Sequence, residues 1–206
     1  MHRHLPPHGY RPALQLRQIG VRSPLVICQL LPVEQFLIWA MRAWIHQSIY
    51  LDIHAQTLRW RLTESFPMFG LAEHRRAFEQ AVDVLTRSHA RAVDFHELGC
   101  RCVGDDECRW LHALGALQRG ARDEAIGALE RFATREGATA ALDLFEPLTQ
   151  TLKDVGWILP PWREVDAEER AQFRPADTAP PTLTDANARP SLRLVYSRSE
   201  ERPTRP

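Results

Sequence analysis

The sequence predicts an all-α protein, a compact bundle of five to six helices with a flexible N-terminal arm and a disordered, Pro-rich C-terminal tail. Proline placement is the first observation: of 15 prolines in 206 residues, only Pro67 and Pro147 lie between residues 33 and 159. Proline breaks helix interiors, so this proline-poor stretch can hold long helices. Apolar residues in it also recur at steps of three and four, which is typical of amphipathic helices. No segment between Leu31 and Trp157 alternates with the period of two that a confident strand requires.

These patterns divide the chain into three parts. Residues 1–23 contain four arginines and no acidic residue, which predicts a basic flexible arm. Residues 24–159 are the predicted helical bundle domain, which is long enough to bury about two thirds of its unfolded surface. Residues 160–206 are polar and contain eight of the prolines, a composition that predicts a disordered tail.

Two helices are predicted in the first half of the bundle. Pro32 suits the first position of a helix, and the run Val33–Gln47 follows with few breakers. This helix either continues through Tyr50–Leu62 or bends near Ser48. The clearest periodicity in the chain covers Leu71–Val93, where the apolar residues form one stripe and the charged residues lie elsewhere.

Three more helices are predicted in the second half. One begins at Asp105-Asp106-Glu107, whose carboxylates suit free amides and the positive end of the helix dipole, and it ends at Gly120. The next covers Arg122–Ala133, and the last covers Ala138–Val155.

Two short segments are compatible with strands. Leu25–Leu31 is a continuous apolar run, and Ser191–Ser197 alternates weakly within the predicted tail. They can pair with each other, or the tail segment can add to the sheet edge of a partner. The alternative is that Ser191–Ser197 is an apolar patch in a disordered tail.

Charge and motifs argue against several function classes. Lys+Arg and Asp+Glu both number 26, so no global basic field attracts nucleic acid. Weak nucleic-acid binding would depend on the basic arm and on Arg59-Trp60-Arg61. The sequence contains no Gly-rich phosphate loop, no Gly-x-Ser-x-Gly and no His-Glu-x-x-His. It therefore favours a protein that is not an enzyme, and it leaves an unfamiliar active site open.

Cysteine and histidine cluster between residues 96 and 112. A structural zinc site takes four thiolate or imidazole ligands. Cys100 and Cys102 would form a loop pair, Cys108 and His112 a pair four residues apart on one helix face, and His96 is a spare ligand. A helical projection places Cys108 and His112 away from the core stripe of that helix, so we expect them to face the preceding loop.

Three alternatives to zinc stay open for this cluster. The spacing of the cysteines is not the usual zinc pattern, so they can be free thiols around a tight turn, with His112 exposed to solvent. An iron–sulfur cluster would recruit Cys28 as well. Cys108 in the first helical turn can also be a redox-sensing thiol, although the neighbouring carboxylates oppose its thiolate form.

The function that we predict first is a protein-binding adaptor or regulator in the cytoplasm. Trp157 and Trp162 flank Pro160-Pro161, where they either pack or form an aromatic patch for a partner. The most apolar region, residues 24–45, is interrupted by a proline and charged residues, so we expect no membrane partner. A metal- or thiol-based sensor is the alternative function.

Overall fold

Helix α4 (Asp105–Gln118) occupies the centre of the fold. The structure is a computed structural model, and it describes residues 17–19, 25–49 and 53–164. Eleven of its fourteen residues are buried. It contacts four of the other helices of the bundle, one of them through the ring of Trp110. Its buried residues include the polar side chains of Asp106, Glu107 and Gln118, which must find hydrogen-bond partners inside the protein.

Five further helices surround α4 in the described ranges, and the prediction of an all-α bundle is confirmed. The helices are α1 (Pro32–Ile49), α2 (Ile53–Met68), α3 (Arg75–Arg87), α5 (Arg122–Leu129) and α6 (Arg135–Asp154), with single 3-10 turns at Ile27–Gln29 and Ala72–His74. Helix α2 packs on α1, α3 packs along α6, and α5 packs against α4. None of the helices in these ranges is both long and apolar enough to cross a bilayer.

Two predicted helices are shorter in the structure. Helix α3 ends at Arg87, six residues before the predicted end, and α5 ends at Leu129, four residues before Ala133. The residues after each helix pair with each other, because His89 bridges Ala133 and the amide of Ala90 donates to Phe132 O over 2.8 Å. These tertiary hydrogen bonds replace the helical ones that the local sequence favours.

The strand predictions are corrected in part. Leu25–Leu31 is not a strand: Val26 makes one antiparallel bridge to Cys102, and a 3-10 turn follows. Ser191–Ser197 lies outside the described residues. Two three-residue strands that were not predicted pair with each other in parallel: β1 (Arg17–Ile19) and β2 (Trp162–Glu164). In the sequence, β1 precedes the range 24–159 and β2 follows it. The rest of the predicted arm and tail lies outside the described residues.

An aromatic cluster fills the core between α3, α4 and α6. Trp110 and its neighbours Phe78 and Phe145 are fully buried. Their ring centroids lie 6.1 Å (Phe78–Trp110) and 5.9 Å (Trp110–Phe145) apart, in edge-to-face geometry. Edge-to-face pairs add to the stability that burial of the rings already gives.

We expect Trp110→Ala to lower the free energy of unfolding by about 3–5 kcal/mol, because it removes the largest buried side chain and leaves a cavity. The matched control is Trp60→Ala, where the side chain is 63% exposed and the change should stay within about 0.5 kcal/mol. Urea unfolding of both variants measures the difference. Equal losses of unfolding free energy in the two variants would contradict the burial of Trp110 and the exposure of Trp60.

Candidate thiol site

A buried ion pair joins α1 to α4. Arg42 and Glu107 have side chains that are 1% and 0% exposed. The guanidinium binds the carboxylate through two parallel hydrogen bonds, Nε to Oε1 and Nη2 to Oε2, each 2.6 Å long. Removing two charges from water is costly, so such a pair is stable only when its remaining donors and acceptors also find partners.

Those remaining partners belong to the segment between α3 and α4, whose residues 96–102 we call the thiol loop. Arg42 Nη1 donates to the carbonyl oxygen of Cys100 and Nη2 to that of Cys102, both over 2.7 Å. Glu107 accepts from the amides of His96 (3.2 Å) and Gly104 (2.8 Å). The ion pair therefore fixes the backbone on both sides of the thiols.

A second buried carboxylate, Asp106, holds the segment that precedes the thiol loop. It accepts hydrogen bonds of 2.6–2.8 Å from Arg91, Arg109 and the amide of Asp94. Burial alone would raise the pKa of Asp106, but these hydrogen bonds and the Arg91 charge outweigh it and the pKa is lowered.

The acidic start of α4 caps the helix, as the sequence predicts. The Glu107 carboxylate accepts a hydrogen bond from the amide of Gly104, the residue before the helix.

The thiol loop brings an imidazole and two thiols together. His96 Nδ1 lies 3.1 Å from Cys100 Sγ, and the Cys102 thiol is close enough to Cys100 for its pKa to be affected. Desolvation, and after it the neighbouring Cys100, raises the pKa of Cys102. Cys100 and Cys102 are both partly exposed. Sequence spacing predicted that these three residues belong to one site.

Cys28 lies in the same region as the thiol loop. In the sequence analysis, only the iron–sulfur alternative grouped Cys28 with the other cysteines. The segment around Val26 runs antiparallel to the thiol loop: Ile27 N donates to Arg101 O over 2.8 Å, and Val26 faces Cys102. Two residues further along each segment lie Cys28 and Cys100. Both line an open pocket of about 290 Å³, and Cys28 is exposed.

The other two predicted ligands lie apart from the thiol loop. Cys108 is 4% exposed and packs in the hydrophobic core, so the prediction that it faces away from the core is wrong. The reason is that α4 is covered on nearly all sides and has no open face at this level. Burial, followed by the charges of Asp105 and Glu107, raises the pKa of Cys108 to about 12, which disfavours a reactive thiolate there.

His112 is turned toward α5, where its Nε2 lies 3.2 Å from Glu124 Oε1. It is only 14% exposed, so it is not the solvent-exposed histidine of the free-thiol alternative. Among the described residues, no group of three or more His, Cys, Asp or Glu side chains is arranged to hold a metal ion. The four-ligand zinc site of Cys100, Cys102, Cys108 and His112 stays a prediction whose ligands this structure does not bring together.

The tryptophans predicted as partner anchors pack against the body. Trp162 is 3% exposed and belongs to the hydrophobic core. Trp157 is half-buried, with its ring 6.1 Å from that of Phe69, and its carbonyl accepts from Gln118 Nε2 over 2.7 Å. The tryptophan that is most exposed is Trp60 on α2, which lies between Arg59 and Arg61 in the run named for the nucleic-acid alternative.

No protein-family model matches this chain, and no curated protein and no solved structure matches it significantly.

We expect Arg42→Ala to lower the free energy of unfolding by about 3–5 kcal/mol, because it leaves the Glu107 carboxylate buried without its counter-charge. Arg75→Ala is the matched control: its partner Glu79 is one helical turn away and both side chains are partly exposed, so the loss should stay below about 1 kcal/mol. Chemical denaturation of the two variants tests this. A loss for Arg42→Ala no larger than for the control would contradict a structural role of the pair.

Asp106→Asn should destabilise the protein by about 2–3 kcal/mol at pH 7, since it weakens charged hydrogen bonds to two arginines. The folded-state pKa of Asp106 is lowered, so its contribution is present above the unfolded-state value of about 3.9 and is lost as the pH falls through the folded-state pKa. Unfolding curves from pH 7 to pH 3 should therefore show the two proteins converging at the acid end. The exposed-site control Asp154→Asn should run parallel to the wild type, and a gap for Asp106→Asn that is constant with pH would refute this linkage.

Proposed function

We propose that the protein is a non-enzymatic regulator that acts by binding another protein, and that Cys100 with His96 forms its thiol-based input. The observation that supports this most is the 3.1 Å contact between Cys100 Sγ and His96 Nδ1, in a loop that a buried arginine holds in place. This proposal joins the adaptor and the thiol sensor, which the sequence left as separate functions.

The imidazole supplies the chemistry that a reactive thiol needs. A thiolate is the nucleophilic form of cysteine, and a histidine within hydrogen-bond distance can accept the thiol proton. Cys100 is partly exposed, so a small oxidant can reach it. Cys102 and Cys108 both have a raised pKa, which disfavours the thiolate form at those two positions.

The contacts of Arg42 connect this thiol to the rest of the bundle. Its guanidinium donates to the carbonyl oxygen of Cys100 itself, while its other hydrogen bonds join α1 to Glu107 of α4. A chemical change that rotates the Cys100 backbone would leave a buried guanidinium donor without an acceptor. Loss of such a hydrogen bond costs about 1–3 kcal/mol, which would weaken the connection between the thiol loop and α1.

Helix α2 supplies the surface that suits a protein partner. Its core face is a narrow stripe, and the opposite face carries Trp60, which is 63% exposed. Arg59 and Arg61 precede and follow Trp60 in the sequence and are also exposed. Tryptophan and arginine are the residues that most often anchor protein interfaces, so we propose a partner with an apolar pocket surrounded by acidic residues. The same run of residues is the basis of the weaker nucleic-acid alternative.

Alkylation kinetics test the thiol input. In the folded protein at pH 7, iodoacetamide should modify Cys100 faster than Cys102 or Cys108, and His96→Ala should slow the modification of Cys100 by about threefold or more. His54→Ala, which removes an exposed histidine of α2, is the control and should leave the rate unchanged. Peptide mapping over time measures all sites together. Equal rates at the three cysteines, or no effect of His96→Ala, would overturn the proposed input.

Element analysis of untagged protein separates the thiol input from the metal alternative. The thiol input predicts no stoichiometric metal. One zinc or other soft metal per chain, lost on Cys100→Ser, would favour the metal sensor, because metal binding and site formation are coupled.

A further inference from the structure

We propose that oxidation of Cys100 ends in a disulfide with Cys28, which would join the segment 25–30 covalently to the thiol loop. This inference rests on the proposed function, since it requires Cys100 to be the thiol that reacts first. It assigns a role to Cys28, which lies about 70 residues away in the sequence.

Backbone pairing places the two cysteines on facing segments. The antiparallel bridge between Val26 and Cys102 is flanked by two hydrogen bonds of 2.8 Å, from Ile27 N to Arg101 O and from Val103 N to Leu25 O. Two residues beyond this bridge lie Cys100 on one segment and Cys28, within the 3-10 turn Ile27–Gln29, on the other. Both residues line the open pocket of about 290 Å³, which leaves room for an oxidant and for rotation of the two side chains.

Cys102 is the competing partner, and the contacts of its backbone disfavour it. A disulfide between Cys100 and Cys102 would close a small ring across one intervening residue, which requires the backbone to twist. The carbonyl oxygens of these two cysteines are both held by Arg42 at 2.7 Å. Cys28 lies on a different segment and is exposed, so its side chain can approach Cys100 without closing such a small ring.

The reaction needs a peroxide as its oxidant. His96 takes the proton of the Cys100 thiol, and the thiolate attacks one oxygen of hydrogen peroxide; the O–O bond breaks, and the proton goes to the departing hydroxide, which leaves as water. Cys100 is then a sulfenic acid. The Cys28 sulfur attacks the Cys100 sulfur, an S–S bond forms, and the hydroxyl leaves with the Cys28 proton as a second water. Two thiols are oxidised by two electrons and one peroxide is reduced.

Peptide mapping of the full chain tests the linkage directly. Trypsin cleaves after Arg101, which puts Cys100 in the peptide 92–101, both Cys102 and Cys108 in 102–109, and Cys28 in 23–42. After treatment with hydrogen peroxide and quenching with an alkylating agent, we expect a non-reduced peptide pair 23–42 with 92–101. The cross-link closes a long loop, so the oxidised protein should also melt at a temperature higher by about 5 °C or more than the reduced protein.

Two cysteine variants act as matched controls. Cys102→Ser should form the same cross-link, whereas Cys28→Ser should stop at a Cys100 sulfenic acid that dimedone traps. A wild-type cross-link between peptides 92–101 and 102–109, or one that joins two chains, would overturn the role of Cys28 and leave Cys100 as the reactive thiol. If peroxide leaves Cys100 unmodified in every variant, the proposed thiol input fails as well.

Discussion

The structure depends on one buried ion pair, between Arg42 of α1 and Glu107 of α4. Neither side chain reaches solvent, so every donor and acceptor must be matched within the protein. The bidentate contact pairs two guanidinium N–H groups with the two carboxylate oxygens. The remaining guanidinium donors bind carbonyl oxygens of residues 96–104, and backbone amides of the same segment donate to the carboxylate. The two charged side chains therefore fix the conformation of a segment that has no regular secondary structure. The buried charges in turn need the hydrogen bonds of that segment to be stable.

This mutual requirement explains why the thiols lie where they do. The antiparallel contact with Val26 and the carbonyl contacts with Arg42 hold the thiol loop from two sides, and Cys100 is placed beside His96 within it. Asp106 and its arginines hold the preceding segment in the same way. The start of α4 therefore organises a loop whose own sequence, with Gly99 and Gly104, has little conformational preference.

The sequence predicted the helices because their apolar spacing is a local property. It could not predict the segment after Arg87, where tertiary pairing with residues 132–134 overrides a helical pattern. It also misplaced Cys108, because a helical projection finds the strongest apolar stripe and does not tell how many neighbours surround the helix. Cys28 and Cys100 line one pocket because a bridge joins two distant segments, and neither spacing nor composition carries that information.

Hydrogen exchange of the thiol loop and of the two residues that follow it, Val103 and Gly104, in Arg42→Lys tests the central claim most directly. Lysine keeps the positive charge but cannot make the bidentate contact or reach both carbonyl oxygens. We predict that the amides of His96, Val103 and Gly104 lose protection by about tenfold or more, while those in the middle of α6 keep theirs. Unchanged protection in the loop would show that the buried pair does not hold it.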